Sequence, residues 1–296
     1  MSTLQVVDPH IHLWDLSTGL YPGLEKPSTG FSGDNTAIAR SYLLADFLAD
    51  AGGVEILKAV HVEAFPTDAL AEARHVQAMA DAAANRIPQG IVAYANLADA
   101  GVSRLLEQLA GVPNVRGIRQ VINRHANPAF NYVQRDFLDE PAWHEGFALL
   151  ARHKLSFDLQ LYPHQMAQAA RLAASHPDTP IAVNHAGMWA DRTLAGWRQW
   201  RDGMRLLARE PNVSVKISGL VMFDHQWTPD SLRPLVFETL DAFGAQRAMF
   251  ASNFPVDKLH ATYRGLWHAY AGMIADLTPG EQSQLLRSNA ERFYRI

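Results

Sequence analysis

The chain has 296 residues, 48% hydrophobic and 19% charged, with a formal net charge of -4, which is ordinary globular composition. That charge supplies no broad basic surface for nucleic acid, no apolar run reaches membrane-spanning length, and no apolar signal-like segment opens the chain. There is no cysteine. Disulfides, thiolate nucleophiles and thiolate-held metals are therefore excluded, and any metal must use histidine, carboxylate, other oxygen donors or water. The default location is cytoplasmic.

The apolar run over residues 4–12 reads as a first strand and ends in Asp8-Pro9-His10-Ile11-His12. Side chains alternate along a strand, so His10 and His12 point the same way. Two adjacent imidazoles are costly for a plain core and well suited to a metal or a polar substrate. Residues 14–41, with four Gly and two Pro, read as an irregular excursion. Further short runs rich in Val, Ile, Leu or Phe follow at 54–63, 90–97, 115–122, 155–161, 181–185, 213–218 and 248–253, as buried parallel strands require. Helical patterns separate most of them, at 68–85, 103–110, 140–153, 163–175, 191–209 and 228–243. The stretch 68–85 sets Leu70, Ala73, Val76 and Ala80 on one stripe. Thr228-Pro229 reads as an N-cap with proline at N1, and Thr278 and Glu281 have capping-box spacing at the start of a last helix. The pattern predicts an α/β fold, a (β/α)8 TIM-like barrel spanning 1–296 as a single domain. An open α/β sheet is the alternative.

The barrel grouping brings polar residues to the strand C-termini, where such folds build their sites. These are His10 and His12, His61 and Glu63, Tyr94 and Asn96, Arg119 and Gln120, Asp158 and Gln160. Asn184 and His185, Lys216 and Ser218, and Ser252 and Asn253 follow. Buried polar groups need partners, so a shared cavity accounts for their recurrence. His10 and His12 can reach one ion or one substrate group. His185 can donate to a substrate oxygen, ligate a metal or protonate a leaving group. The planar fork of Arg119 suits a carboxylate or oxyanion, with an ordinary salt bridge as its alternative. Lys216 inside a barrel requires a carboxylate, a ligand or water. Gln160 and Tyr162 can orient a substrate ring, and Trp14 can wall a pocket. No Gly-rich phosphate fingerprint and no G-x-S-x-G elbow occurs, which gives nucleotide cofactors and serine-hydrolase chemistry little support.

Several of these segments resemble the amidohydrolase superfamily, in its lactonase-like amidohydrolase 2 branch. They are VDPHIHLWD at 7–15, VRGIRQ at 115–120, LQLYPHQ at 159–165, VNHAG at 183–187, VKISGL at 215–220 and MFASNFPVD at 249–257. They span nearly the whole chain in barrel order. The resemblance implies a hydrolase that opens a small lactone, either a sugar lactone or a carboxylated relative, by water attack at the carbonyl. His10 and His12 would be the strand-one pair, His185 would bind a metal or polarise the carbonyl, Arg119 would belong to the substrate-binding set, and Trp14 would lie at the pocket edge. Members of the branch work with or without a divalent metal. The expectation is either one such ion, zinc first, held by His10, His12 and His185, or metal-independent activity.

One position departs from that pattern. Many relatives carry aspartate in a strand-eight G-S-D-W-P motif, where this chain reads Ala251-Ser252-Asn253-Phe254-Pro255. An amide cannot act as an ordinary general base. Asn253 is therefore expected to position water or substrate, with Asp257 replacing the base only if the following loop folds back. Two competing readings stand beside lactone hydrolysis: a metal-dependent decarboxylase or other C–N or C–O hydrolase, and an inert barrel that binds a small molecule. The expected partner is a small-molecule substrate, with neither nucleic acid nor membrane. A homo-oligomer is left open.

Overall fold

The computed structural model describes residues 3–296. Its main sheet contains β1 (Leu4–Ile11), β2 (Val54–Val62), β3 (Gly90–Tyr94), β4 (Val115–Val121), β5 (Ser156–Gln160), β6 (Ile181–Val183), β7 (Val213–Ile217) and β8 (Ala248–Phe250). They neighbour one another in chain order and pair in parallel. The sheet's two edges then meet. Ile11 bridges Phe254, His12 N donates to Phe254 O at 2.8 Å, and Asn253 N donates to His10 O at 2.9 Å. The result is a nearly closed eight-stranded barrel rather than an open sheet.

One longer helix follows each strand: α1 (Leu44–Asp50), α2 (Ala69–Ala82), α3 (Val102–Ala110), α4 (Pro141–Ala148), α5 (Met166–Ser175), α6 (Leu194–Leu207), α7 (Pro229–Phe243) and α8 (Tyr263–Met273). Their apolar stripes pack on the outside of the barrel, as Trp143 and Phe147 of α4 do against Phe157 of β5. The cap expected at Thr228 forms: its side chain accepts from Ser231 N, and Pro229 occupies the first turn. Among the described residues no helix is long and apolar enough to cross a membrane.

Three departures from the sequence pattern have physical causes. The helix α1 falls between the excursion at 14–41 and the strand from 54, where the sequence pattern assigns no element, because only Phe47 of its seven residues is buried. The helix α8 was also unassigned, although Tyr263, Leu266, Trp267, Tyr270 and Met273 are buried at helical spacing. Thirdly, β6 and β8 stop short of His185 and Asn253. His185 (φ 54) and Ala186 (φ 46) are left-handed, as is Asn253 (φ 57), and left-handed backbone ends a strand. Both site residues therefore project from turns beyond the strand ends.

The chain closes with α9 (Pro279–Ser283), a π turn (Gln284–Ser288) and α10 (Asn289–Tyr294). The predicted capping box is present, with Thr278 N donating to Glu281 Oε2 at 2.9 Å and Glu281 N donating to Thr278 Oγ1 at 3.3 Å. Ala290 and Tyr294 of α10 pack on Val7, Val60, Val62, Val92 and Met249, a small core separate from the helix–barrel layer. From there the Tyr294 hydroxyl donates to Asp158 Oδ2 at 2.9 Å. Asp158 Oδ1 lies 2.5 Å from Lys216 Nζ, with both side chains fully buried. Lys216 Nζ also donates to Pro9 O at 2.8 Å and approaches His10 Nδ1 at 3.4 Å. Its three N–H bonds thus have three acceptors. Breaking a buried pair on one side leaves an uncompensated charge, at a cost of about 3–5 kcal/mol. Lys216→Met should lose stability by that amount in urea titrations, and adding Asp158→Asn should restore more than half of it. A single-variant cost below about 1 kcal/mol would contradict this account of the ion pair.

Candidate active site

Above that ion pair, at the C-terminal end of the strands, lies a cleft. Its polar lining is His12, Ser32, Arg119, Gln160, His185 and Asn253, and Trp14, Phe65, Tyr132 and Met222 are among its walls. His12 and His185 line it, and His10 packs behind them, fully buried and outside the lining. The His10 ring centroid lies 5.0 Å from that of His12 and 4.7 Å from that of His185. His10 is the deepest of the three, between them and Lys216.

Each imidazole is oriented by a specific partner. His12 Nδ1 lies 2.8 Å from Val62 O. A carbonyl only accepts, so Nδ1 carries the proton and Nε2 of the neutral ring is a lone pair. The ammonium of Lys216 only donates, so it fixes the opposite tautomer on His10, with Nε2–H as a donor. His10 Nε2 is buried and has no hydrogen-bond partner among the described residues. His185 Nδ1 lies 3.0 Å from Ser218 Oγ, which can donate or accept. Burial holds the pKa of all three well below 6.5, reinforced at His10 first by Lys216, at His12 and His185 first by Arg119. The cluster is neutral at neutral pH.

The turn after β6 is a strained run. His185 (φ 54), Ala186 (φ 46) and Met188 (φ 50) are left-handed without being glycine, and Trp200 Nε1 donates to Ala186 O at 2.7 Å from α6 to brace it. Gly219 completes the cradle. A Cβ there would fall 2.6 Å from His185 Nδ1 and 2.6 Å from Met222 Cε, and its φ of +63 disfavours any side chain.

Asn253 Nδ2 donates to Asp257 Oδ1 at 2.7 Å, which leaves Asn253 Oδ1 as the acceptor toward the cleft, where its side chain meets His12. The turn Val256–Leu259 does fold back, with Asp257 N donating to Asn253 O at 3.1 Å. It places Asp257 behind Asn253, fully buried and outside the cleft lining. Burial pushes its carboxyl well above the ordinary range.

Arg119, read from the sequence as an anion anchor or a salt bridge, forms a salt bridge and also lines the cleft. Its Nε donates to Glu63 Oε1 at 2.6 Å, Nη2 to Glu63 O at 2.6 Å, and Nη1 to Gln160 Oε1 at 3.2 Å. Burial raises the Glu63 pKa while Arg119 opposes that rise. Gln160 borders the cleft with its amide held by this contact. Trp14 lines the cleft as expected, its Nε1 donating to Arg40 O at 2.6 Å. Two other predicted substrate contacts lie elsewhere. Lys216 sits beneath the cleft. Tyr162 lies outside its lining, and its hydroxyl donates to Phe130 O at 2.8 Å, anchoring the excursion after β4. His61 is a packing group: its Nδ1 accepts from Leu13 N at 3.1 Å and its Nε2 lies 3.6 Å from Glu72.

The arrangement does not suit a divalent ion. Among the described residues no three His, Asp or Glu side chains are grouped to hold one. The Lys216 ammonium places a proton on the His10 nitrogen that would have to ligate. The strand-eight position offers an amide in place of a carboxylate.

Residues 7–296 match the amidohydrolase family, and the chain belongs to it. The "Uncharacterized protein y4mH" of Sinorhizobium fredii is 44% identical over 100% of both chains. An L-fucono-1,5-lactonase of Burkholderia ambifaria is 29% identical, covering 98% of this chain and 95% of its own. A Burkholderia multivorans amidohydrolase solved with bound zinc superposes with a TM-score of 0.83 at 24% identity, covering 99% of each chain. The protein is an enzyme of the hydrolase class.

Sequence reasoning did not single out Gly219 or the Asp158–Lys216 pair as a unit. Gly219 carried the one available signal, a glycine directly after a strand-end serine. Gly219→Ala should displace the His185 ring from Ser218. In ring ¹H–¹⁵N correlation spectra the His185 resonances should move while those of the distant His153 stay. An unchanged His185 signal would show that the cradle tolerates a methyl group.

Proposed function

We propose that this enzyme opens the ring of a small lactone by water attack at the carbonyl. The observation that carries the proposal is a packed trio of neutral, buried imidazoles, His12 and His185 lining the cleft and His10 behind them, with His12 presenting a lone pair and His10 a proton. The name of the 29%-identical L-fucono-1,5-lactonase supports the reaction class and makes a sugar-type lactone ring the first to test.

In this reading Asn253 Oδ1 accepts from the attacking water and His12 Nε2 removes its proton as the hydroxide oxygen bonds to the carbonyl carbon. The oxyanion forms beside the His10 Nε2–H and the Arg119 guanidinium, donors that need no reorganisation. His185 completes the oxyanion pocket. Collapse of the tetrahedral centre breaks the ring C–O bond. The departing alkoxide takes the proton held on His12, and a hydroxy acid leaves. No step passes through a metal. The zinc of the Burkholderia multivorans structure is not carried over, because here the hydrogen bond from Lys216 to His10 Nδ1 favours the neutral tautomer with its proton on Nε2.

Assays of acid release on a panel of five- and six-membered lactones test the reaction. Turnover is expected, and turnover of amides or aromatic acids with none of any lactone would refute it. His12→Asn should lower kcat by about 10²–10⁴-fold, with folding checked by circular dichroism. The general base must be unprotonated, and its pKa is depressed below 6.5. As pH falls, kcat/KM should therefore hold its plateau through 6.5 and decline only below it. An acid limb centred above 6.5 would assign the base elsewhere. Protein dialysed against a chelator should keep its activity, and a loss restored by added zinc would place a metal in the reaction.

A further inference from the structure

The cleft has two nearby cations, and each is matched by a buried carboxylate. Lys216 is held by Asp158 at 2.5 Å. Arg119 is gripped by Glu63 through both a side-chain oxygen and the main-chain carbonyl. A substrate carboxylate would share the guanidinium with Glu63 and leave one negative charge uncompensated in a dry site, which is unfavourable. A neutral ring meets no such obstacle.

Beyond His12, Ser32, Arg119, Gln160, His185 and Asn253, the lining is largely apolar. Leu24, Ile38, Met222 and Val256 contribute aliphatic surface. Trp14 turns its N–H away to Arg40 O and offers its ring. Sugar hydroxyl groups turned toward these walls, and away from Ser32, Gln160 and Asn253, would lack hydrogen-bond partners.

The mouth continues the same character. Phe65 is 52% and Tyr132 37% exposed, unusual for large apolar side chains, and their rings stack at 6.4 Å and 15°. Phe31 packs edge-on to Tyr132 at 5.5 Å and stacks on Phe223 at 5.2 Å. An exposed apolar patch beside a cleft marks a contact surface. Phe65 is also held there at some cost, in a left-handed conformation (φ 57) that a bulky residue rarely adopts. Its N–H donates to Glu63 Oε2 at 2.7 Å, while Oε1 of the same carboxylate binds Arg119. One side chain thus both neutralises the cation and fixes the aromatic wall.

We infer that the cleft selects a neutral lactone whose ring carries an apolar substituent, alkyl or aryl, over polyhydroxylated or carboxylated lactones. The carbonyl meets the histidines and the substituent lies along Ile38, Met222 and Phe65 toward the aromatic mouth. This rests on the lactone-hydrolase reading above and narrows it.

The test uses the full chain on four six-membered lactones: δ-valerolactone, δ-decalactone with its pentyl substituent, L-fucono-1,5-lactone, and a carboxylated δ-lactone. Each kcat/KM is normalised to that compound's own hydroxide-catalysed rate. The pentyl-bearing ring should exceed the polyhydroxylated and carboxylated rings by about 10–100-fold, the range that apolar pockets achieve. Phe65→Ala should reduce the ratio of δ-decalactone to δ-valerolactone by about tenfold. The matching δ-lactams resist hydrolysis, and their calorimetric binding constants read the same selectivity without turnover. Preference for the sugar or carboxylated ring in both readouts, or equal values throughout, would overturn the inference and leave the hydrolase reading standing. Tighter binding of the pentyl lactam with no hydrolysis of any lactone would support the selectivity and overturn the hydrolase reading.

Discussion

The Lys216 ammonium and the Asp158 carboxylate meet at 2.5 Å inside the barrel, both out of contact with solvent. Neither charge could be buried there alone. Their pairing lets the lumen stay polar in its middle while Tyr294 and a ring of valines seal it below. It also fixes the chemistry above. Because Lys216 can only donate, His10 must accept at Nδ1 and turn a proton upward, and the added positive charge keeps His10 neutral. A single ion pair therefore joins the stability of the barrel interior to the protonation pattern of the site.

A second buried pair works on the same principle at the rim. Glu63 and Arg119 come from the ends of β2 and β4 and neutralise one another beside the cleft. The guanidinium stays available as a directed donor while its net charge is cancelled, so the site is polar without being a strong anion trap. The site thus combines neutral imidazoles, paired cations and hydrocarbon walls. Such a floor favours chemistry at an uncharged carbonyl, where charge develops only in the transition state.

The substituted strand-eight position fits this pattern. Where a carboxylate would add negative charge next to the histidines, the chain has Asn253, and it moves the acid four residues on, to Asp257, buried behind the amide. The amide oxygen is thereby aimed at the cleft. A left-handed Asn253 is a conformation that asparagine tolerates better than most residues.

Much of this was legible in the linear chain. Alternating short β-branched runs and amphipathic stretches define the barrel, because buried strands and half-buried helices each impose their own spacing. The HxH pair and the clustering of polar residues at strand ends marked the site for the same reason. Other features had no local signature. That Arg119 meets Glu63, that Lys216 meets Asp158, and that Tyr162 anchors a loop away from the cleft depend on residues 56, 58 and 32 positions apart, respectively. So do the tautomers of His12 and His10, which are set by Val62 from the end of β2 and Lys216 from β7. The repeating elements, and the residue types gathered at one end of them, follow from the linear chain, since periodicity and composition are local properties. Which charges cancel, which nitrogen carries the proton and which walls are dry emerge only on folding, because those depend on distances that arise when the barrel closes.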